Sequence, residues 1–443
     1  MTTRGALALT MIPVMLLFMA TGAPFFAAMG GVGIFYGLSF YGWSALATSC
    51  IRAFSFMTRP EFVAIPMFVL MGSFLGGSGV AEMLFDGIYK LFGPVRGGLC
   101  IAVCAICTLL AACTGVAAGP VATMALVALP VMLKRKYDIG FATSVISASG
   151  TLGTIIPPSS MLIMYSIYTE MSVGKLYYAA YLPGLLLSGL FVAFILLTSY
   201  FMPWMAPSAL PEDRGVNIWA SLKVFFVGVV PVLFLIFAVV GTLFLGIATP
   251  TEAAGVGALG ALLMSIVYKK MSWAKLSRCL TTSYRAASMI GAMMIGANFF
   301  TAVFLGSGGG NFIGAYLKSL GLGAGATIFI VLALDFVLGF AMSNMVILLI
   351  IIPIFTPVLR QYGIDELWFA MLFTMMGQVA YLTPPMAPGV YLLKPLAPKE
   401  IMLTDMYKGI IPYIIMDTVG AFMVYFFPQI ALWLPNLMVK KFT

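Results

Sequence analysis

The chain has 443 residues, of which 62% are hydrophobic and 8% are charged, and its net charge is +9. A soluble domain carries about 25% charged residues, so we expect an all-α, polytopic membrane protein with almost no water-facing surface. The sequence has no histidine, which excludes a Ser-His-Asp triad, an HExxH zinc site and histidine-ligated haem. It also lacks a Walker A loop, so it does not hydrolyse ATP by that route. The basic residues lie in short loops, as orientation signals do, and predict no nucleic-acid partner.

Apolar runs begin close to the first residue. The run from Ala6 to about Ala28 continues into further apolar sequence, so it predicts a first membrane span rather than a cleaved signal peptide. We expect scaffold helices over residues 1–59, a linker with further scaffold helices over residues 204–279, and a short tail over residues 429–443. The whole chain holds roughly ten to twelve candidate spans of about 20 apolar residues each.

Two Pro-Pro pairs, Pro157-Pro158 and Pro384-Pro385, end apolar runs 227 positions apart. The same offset pairs other identical residues without a gap, among them Gly87 with Gly314, Tyr89 with Tyr316, Gly98 with Gly325, Ile101 with Ile328, Pro130 with Pro357, Asp138 with Asp365, and Gly150 with Gly377. We therefore predict repeat 1 over residues 60–203 and repeat 2 over residues 280–428. Two halves with a broken helix at matching positions are typical of transporters whose site lies between the repeats.

Charge predicts that the repeats are inverted. Lys134-Arg135-Lys136 is strongly basic, whereas the equivalent segment 361–366 is neutral to acidic and includes Asp365 and Glu366. The positive-inside rule places the first segment in the cytoplasm and the second outside. The segment 269–278, with three lysines and one arginine, also belongs in the cytoplasm. The same loop on opposite faces of the membrane is the arrangement expected for alternating access.

A predicted arm helix, residues 79–92, is too short and too charged to span a membrane. Glu82, Asp86 and Lys90 recur every four residues opposite an apolar face, with Asp86 and Lys90 spaced as an ion pair. This pattern favours a helix lying along the interface, and an ordinary loop helix is the alternative. Its repeat mate, around residues 311–320, is a weaker copy.

The Pro-Pro pairs predict unwound loops over residues 150–160 and 377–389. A proline inside a helix removes a backbone donor and clashes with the preceding turn. Unwound backbone within a membrane is tolerated only where it is buried or lines a cavity, and its bare carbonyl oxygens suit a hard cation such as Na⁺. The alternative is a simple kink in each helix.

Each predicted loop has a cluster of small and hydroxyl residues roughly 40 positions upstream, at 111–120 and 339–346. The apolar arms on either side are short for a full crossing, so we predict re-entrant hairpins over about 108–133 and about 326–360. Thr114, Ser343 and Asn344 could supply side-chain oxygens to a cation at the tips. Alternatively, these small residues allow close helix packing.

Two further features could carry chemistry. Asp335 and Asp417 lie inside apolar runs, where a carboxylate by default suggests function as a proton or cation ligand. An acid pair of an intramembrane enzyme is another possibility, and Asp335 could instead lie near an interface. Cys104 and Cys107 form a lone CxxC motif, which we interpret as small apolar residues of a packed helix rather than a metal or redox site.

Several segments resemble the large membrane (M) subunit of tripartite ATP-independent periplasmic (TRAP) transporters, from about Ala6 to Ala421. They are Gly22-Ala23-Pro24-Phe25, Ala64-Ile65-Pro66-Met67-Phe68, the run from Gly150 to Ser159, the run from Gly246 to Ala254, Ile352-Pro353-Ile354 with Pro357-Val358, and Leu382-Thr383-Pro384-Pro385. The resemblance implies an elevator-type fold in a bacterial inner membrane and Na⁺-driven import of a small carboxylate or sulfonate. It also implies two partners, a periplasmic substrate-binding protein and a small four-helix membrane (Q) subunit, which we expect to be a separate chain.

The resemblance also implies two Na⁺ sites that flank one substrate. The residues for the first Na⁺ site are Thr114, Gly115, Gly150, Thr151, Gly153 and Pro157, and those for the second are Ser343, Asn344, Gly377, Thr383 and Pro384. The residues implied for the substrate are Thr114, Ser159, Ser160, Ser343 and Gly389.

The chain departs from the family pattern at three of these places. The first tip, residues 113–117, has fewer hydroxyls than the Ser-rich tip usual in the family. Ser343 stands where an Asp is often found, and Gly389 stands where an Asn is usual. Specificity is therefore expected to differ, and the runner-up function is a stand-alone Na⁺- or H⁺-coupled dicarboxylate symporter without a binding protein.

Overall fold

The computed structural model describes residues 3–92, 95–207, 218–340 and 342–442, and every regular element in these residues is a helix. The first ten α-helices are α1 (Thr3–Leu9), α2 (Met11–Ala20), α3 (Phe25–Tyr41), α4 (Trp43–Met57), α5 (Pro60–Gly77), α6 (Val80–Phe92), α7 (Gly98–Thr114), α8 (Ala118–Lys134), α9 (Ile139–Thr151) and α10 (Ser160–Thr169). The others are α11 (Val173–Phe201), α12 (Ile218–Phe244), α13 (Pro250–Val267), α14 (Trp273–Gly306), α15 (Gly309–Ser319), α16 (Ala324–Leu338), α17 (Asn344–Gln361), α18 (Glu366–Leu382), α19 (Pro388–Leu393), α20 (Leu403–Phe426) and α21 (Gln429–Phe442).

Several helices are long and apolar enough to span a membrane. Within the described residues, six are long and apolar enough to cross, namely α5, α11, α13, α14, α17 and α20. Shorter apolar stretches among these residues include both arms of the first predicted hairpin, the first arm of the second, and Val229–Phe244, which is part of the 27-residue α12. The apolar runs are as numerous as expected, but turns and Pro breaks divide them.

The first apolar run illustrates this division. Helix α2 ends at Ala20 rather than near Ala28, and α3 begins at Phe25. Gly22 has a φ of +86°, and Pro24 immediately precedes α3 in an extended conformation. Neither conformation continues a helix. The predicted single span from Ala6 to Ala28 is therefore wrong at its C-terminal end.

The helices form two packed groups. In the first, α5 packs along α13 and α14, and α14 also packs on α3 and α4. Helix α13 begins with a capping box, in which Thr249 and Glu252 satisfy each other's backbone N–H groups. The adjacent Thr251 hydroxyl donates to the carbonyl oxygen of Pro60 at 2.7 Å, which fixes α13 against the start of α5. In the second group, α9 packs on α7, α8 and α20, while α18 packs on α16 and α20.

Helix boundaries in the second group recur with the offset seen in the sequence. Helix α9 begins at Ile139 and α18 at Glu366, each after an aspartate whose carboxylate accepts a hydrogen bond from a backbone N–H of the first turn. Each half has two arms joined by a turn, then a helix that ends before a Pro-Pro pair. The opposite membrane orientation of the two halves stays a prediction.

The predicted arm helix is present as α6. Leu84, Phe85 and Ile88 are buried, whereas Glu82 is exposed, as expected for an amphipathic helix. The side chains of Asp86 and Lys90 lie outside the described part of the molecule, so their ion pair stays a prediction. The weaker repeat copy of this arm helix, predicted around residues 311–320, is α15. Residues 208–217, near the start of the predicted linker, also lie outside the described ranges.

The basic turn 134–136 and the equivalent segment 361–366 differ in their contacts as well as in their charge. The guanidinium of Arg135 lies 4.8 Å above the ring of Tyr89, which joins the basic turn 134–136 to α6. In the equivalent turn, Arg360 forms an ion pair with Glu366, with Nε–Oε1 at 2.5 Å. This pair neutralises the cation nearest the second turn, in keeping with the charge contrast in the sequence.

Candidate functional site

The first hairpin tip, the turn between α7 and α8, is docked against the first Pro-Pro loop. The carbonyl oxygen of Gly115 accepts hydrogen bonds from the backbone N–H of Ser160 at 3.3 Å and from the Ser160 hydroxyl at 2.9 Å. Thr114 is buried at the end of α7, and its hydroxyl donates to the carbonyl oxygen of Val116 at 3.1 Å. An added Cβ on Gly153 would lie 3.1 Å from that carbonyl oxygen, so loop and tip are in backbone contact.

The first loop is held in a fixed shape by its own hydroxyl groups. After α9, a 3₁₀ turn covers Leu152–Thr154, and the cis bond Pro157-Pro158 follows. The Ser159 hydroxyl donates to the carbonyl oxygen of Thr154 at 2.6 Å and closes the loop ahead of α10. Ser159 and Ser160 are both buried, which leaves a hydroxyl-lined loop away from bulk water.

We expect Gly115→Ala to lower substrate uptake at least about tenfold, a factor equivalent to about 1.4 kcal/mol. Gly115 has a φ of +64°, and an added Cβ would lie 2.7 Å from the carbonyl oxygen of Pro158. Both strain and steric conflict would separate the tip from the loop. The measurement is uptake per folded protein in proteoliposomes.

Gly119→Ala is the matched control for this change. Gly119 lies in α8, where an added Cβ meets only Thr114 Cγ2 at 3.4 Å, an ordinary contact. This variant should transport at close to the unmodified rate. Equal uptake by the two variants would contradict a docked first tip.

The second hairpin tip is docked through Asn344. This side chain is buried at the start of α17, and its Nδ2 donates to the carbonyl oxygen of Gly377 at 2.9 Å. Its Oδ1 is also buried but accepts no hydrogen bond within the described residues. An added Cβ on Gly339 would collide with Cβ of Ala380, so the start of the tip also lies against α18.

The second break is shorter than the predicted loop 377–389. Helix α18 continues to Leu382, and only residues 383–387, including the cis bond Pro384-Pro385, separate it from α19. Gly377 therefore lies inside a helix. The physical reason is that the Gly153 of the first loop corresponds to Ala380, which does not end a helix. This break is also more open, since Pro385 and Met386 are exposed.

The two breaks are joined by Gln378, a residue that the sequence interpretation missed. Its fully buried amide donates from Nε2 to the hydroxyl of Thr151, and its Oε1 accepts from the hydroxyl of Thr154 at 2.8 Å. Thr151 and Gln378 are themselves 227 positions apart. The available signal was a single polar residue, Gln378, at the position equivalent to Thr151 beside the first break.

The remaining predicted residues are distributed around this junction. An added Cβ on Gly389 would lie 2.9 Å from both Leu382 and the methyl group of Thr151, so Gly389 is a close-packing position between the breaks. Gly150 packs in the same way on Val121. The hydroxyl of Thr383 donates to the carbonyl oxygen of Val379 at 2.7 Å. Ser343 is exposed at the second tip, and its role as a cation or substrate contact stays a prediction.

The available oxygens fit a hard cation better at the second tip than at the first. Buried polar atoms almost always have a partner, so the unpaired Oδ1 of Asn344 is a candidate ligand for Na⁺, which prefers oxygen. The carbonyl oxygen of Gly115 already accepts two hydrogen bonds, which use both of its lone pairs. Gly115 therefore positions the loop, while the Thr114 hydroxyl is the tip's remaining side-chain oxygen.

Asp335 and Asp417 are fully buried on α16 and α20, and none of their carboxylate oxygens has a hydrogen-bond partner in the described residues. Neither belongs to a tip or a break. Cys104 and Cys107 are buried on α7 as free thiols. The described residues contain no group of three or more His, Cys, Asp or Glu that could complete a metal site around them.

Comparison with known proteins identifies the family. A sequence model described as tripartite ATP-independent periplasmic transporter, DctM component, matches residues 12–430. The chain is 30% identical over 390 residues to the C4-dicarboxylate TRAP transporter large permease protein DctM of Pseudomonas aeruginosa, covering 87% of this chain and 88% of that protein. The Rhodobacter capsulatus protein of the same name is 29% identical over 409 residues, covering 88% and 90%. The isethionate TRAP transporter permease protein DctMQ of Oleidesulfovibrio alaskensis is 24% identical, covering 82% of this chain and 56% of that protein.

Solved structures with a similar fold are also membrane transport proteins. The Alcanivorax borkumensis YdaH transporter has a TM-score of 0.66 at 13% identity, covering 96% of this chain and 98% of that chain. Neisseria gonorrhoeae MtrF, from a class of antimetabolite efflux pumps, has a TM-score of 0.55 at 14% identity, covering 89% and 85%. At these identities the likeness concerns the fold alone.

The relatives in sequence are transporter permeases, so the alternative of an intramembrane enzyme using Asp335 and Asp417 is wrong. The protein is a multi-pass membrane protein, and the regular elements across residues 3–92, 95–207, 218–340 and 342–442 are all helices. With the family match extending over nearly its whole length, this chain belongs to the DctM family, the large permease component of TRAP transporters.

Proposed function

We propose that this permease imports a small organic anion, a carboxylate or sulfonate, across the bacterial inner membrane by Na⁺ symport. The relatives' names support this substrate class, because they specify C4-dicarboxylates and isethionate, a sulfonate. The hairpin tips and Pro-Pro breaks would surround the substrate, with Thr114, Ser159, Ser160 and Ser343 as the candidate hydroxyl contacts. When bound, Na⁺ would supply positive charge beside the anion.

The observation that carries the proposal is the neutrality of this junction. Residues 114–117, 150–160, 342–344 and 377–389 contain no charged side chain, although they supply several hydroxyls and the unpaired oxygen of Asn344. An anion placed there needs compensating positive charge, because isolated charges are costly in a low-dielectric site. Co-transported cations satisfy this requirement, and each extra positive charge moved inward gains about 2.3 kcal/mol per 100 mV.

An elevator mechanism is supported by the separation into two packed groups. Both tips and both breaks belong to the group containing α7–α11 and α16–α20, whereas α3, α4, α5, α13 and α14 pack mainly with one another. A substrate held between tips and breaks would move with the second group, which contains them, past the first group of α3, α4, α5, α13 and α14. The arm helices α6 and α15 precede the hairpins in each half and would connect the groups.

Two partners complete the proposed system. A periplasmic binding protein would deliver the anion. A small four-helix Q-type subunit would brace the first packed group, which contains α3, α4, α5, α13 and α14. The isethionate relative carries the double name DctMQ, which supports a Q-type partner for this permease.

The test is uptake of labelled succinate and isethionate into proteoliposomes containing the permease, the small subunit and the binding protein. We expect accumulation of one anion with an inward Na⁺ gradient and a collapse of accumulation when K⁺ replaces Na⁺. Uptake that is driven equally well by a proton gradient without Na⁺ would overturn the Na⁺ assignment.

The same preparation distinguishes the runner-up function. Omitting the binding protein should reduce uptake to the level of empty vesicles at micromolar substrate. Full uptake without it would instead identify a stand-alone dicarboxylate symporter.

A further inference from the structure

A cavity of about 690 Å³ lies outside the proposed transport site, where four helix ends meet. Its wall is formed by the end of α5, the first turn of α6, the turn after α13 and the first three turns of α14. Its polar lining includes Ser73, Glu82, Lys270, Lys275, Arg278 and Thr282. None of these residues has a role in the hairpin tips or the Pro-Pro breaks.

The cavity has an excess of positive charge that no ion pair neutralises. Lys270, Lys275 and Arg278 face one carboxylate, Glu82, and none of the four forms a salt bridge within the described ranges. Arg278 makes no side-chain hydrogen bond there either. An arginine carries five N–H donors, so this wall presents a large unused donor capacity.

One of the cations is held in place by the backbone. Lys275 Nζ donates to the carbonyl oxygen of Lys270 at 2.9 Å and to that of Gly77 at 3.5 Å. An ammonium group has three donors, so one remains for a ligand. The Lys270 side chain lies along Gly79, whose added Cβ would be 3.3 Å from it. The two backbone contacts hold the Lys275 ammonium group beside the cavity before any ligand arrives.

The cavity lies on the face that charge assigns to the cytoplasm. Helix α6 contributes Glu82 to the cavity, and its Tyr89 ring lies beneath Arg135 of the basic turn 134–136. The two most basic segments of the chain therefore contact the same short helix. By the positive-inside rule, this shared face is cytoplasmic.

The cavity's surroundings match the headgroup layer of a bilayer. Trp273, at the start of α14, is 82% exposed, and exposed tryptophans are enriched at the level of lipid headgroups. Val267, at the end of α13, is 75% exposed and belongs to a helix apolar enough to span the membrane. A lipid whose headgroup entered the cavity could therefore lay an acyl chain along the outer surface of α13.

We propose that this cavity binds the phosphodiester headgroup of an anionic phospholipid from the cytoplasmic leaflet. Arginine and lysine are the side chains that recognise phosphate, and basic pockets between membrane helices on the cytoplasmic side bind acidic headgroups. The lipid would join the scaffold helices α5, α13 and α14 to the arm helix α6. This inference does not depend on the proposed Na⁺ coupling or on the transported anion.

The first test measures the thermal unfolding of the purified permease in a neutral detergent. The probes are dihexanoylphosphatidylglycerol, dihexanoylphosphatidylcholine and inorganic phosphate at equal concentrations. We expect the phosphatidylglycerol alone to raise the unfolding temperature in a saturable manner. Equal effects of the two lipids would overturn the proposal, and an equal effect of inorganic phosphate would replace the lipid by a free anion.

The second test compares two charge-neutralised variants by native mass spectrometry with the same short-chain lipid. We expect K270Q/R278Q to weaken phosphatidylglycerol binding at least about tenfold. The control K399Q/K408Q removes two exposed lysines near α20 that lie outside the cavity. The backbone of Gly409 in α20 touches that of Gly140, which follows the basic turn 134–136. The two control lysines therefore lie on the same face of the membrane as the cavity. Undiminished binding by K270Q/R278Q, or an equal loss in the control, would overturn the assignment.

Discussion

Replacing Asn344 by alanine is expected to raise the Na⁺ concentration for half-maximal uptake at least about tenfold, equivalent to about 1.4 kcal/mol. The change removes the buried Oδ1, which has no other partner, and it also removes the donor that Gly377 accepts at 2.9 Å. Loss of a buried hydrogen bond to a backbone carbonyl costs about 1–3 kcal/mol on its own. The measurement is the Na⁺ dependence of initial uptake rates in proteoliposomes.

Asn298→Ala separates a cation role from a general loss of stability. Asn298 is also buried, but it lies on α14 in the other packed group. Its Nδ2 donates to the carbonyl oxygen of Met294 at 2.9 Å and to the hydroxyl of Tyr168 on α10 at 3.3 Å. Both variants should unfold at lower temperatures than the unmodified protein. Only Asn344→Ala should shift the Na⁺ dependence, and a shift of the same size in Asn298→Ala would count against the second Na⁺ site.

The second large effect is expected for Gln378→Leu, which should lower the maximal uptake rate at least about tenfold and reduce the Hill coefficient for Na⁺. Gly377 accepts from the second tip, whereas its neighbour Gln378 bonds to Thr151 and Thr154 of the first loop. Two consecutive residues therefore connect the two candidate cation sites. Leucine is similar in size but cannot make these hydrogen bonds, so the sites would bind cations independently.

A double-mutant cycle tests whether the hydrogen bond itself carries this coupling. Residues in direct contact show interaction energies of about 0.5–3 kcal/mol, whereas distant residues are additive. We therefore expect the double variant Gln378→Leu/Thr154→Val to have a maximal uptake rate only slightly below that of Gln378→Leu alone. Thr143→Val is the control, since Thr143 is buried on α9 and donates only within that helix. Additive effects of Gln378→Leu and Thr154→Val would argue against coupling through this contact.

The breaks and hairpins were predictable because local chemistry determines them. Consecutive prolines cannot continue a helix, so Pro157-Pro158 and Pro384-Pro385 marked both breaks. Small residues between two apolar arms marked both hairpin turns. The second arm of the second hairpin, α17, is long enough to span the membrane, so the re-entrant course of that hairpin stays a prediction. Gly150 and Gly377 both lie inside helices, α9 and α18, so both loops begin later than predicted, and the second is delayed further because α18 continues to Leu382. Ala380, in place of a glycine, decided that helix boundary.

Contacts between segments were not predictable from local pattern. Nothing in the sequence near Gly115 shows that its carbonyl oxygen is taken by Ser160, 45 positions away. Gln378 is a single polar residue in an apolar helix, and its importance depends on which loop lies opposite. Gly389 likewise resembled a substrate position until its neighbours, Leu382 and Thr151, were known. Tertiary packing alone decides which of these residues forms hydrogen bonds between the segments and which one only fills space.

The hydrogen bond between Thr151 and Gln378 also bears on how such a protein can be assembled. Positions at equivalent places in two related halves can touch only where a symmetry axis passes between them. Two identical chains would place the same residue on both sides there, Gln against Gln or Thr against Thr. Because both halves belong to one polypeptide, one side can provide an amide and the other a hydroxyl. The contact between the two breaks is thus a pair of unlike residues, an amide with a hydroxyl, that a symmetric dimer of identical halves could not form.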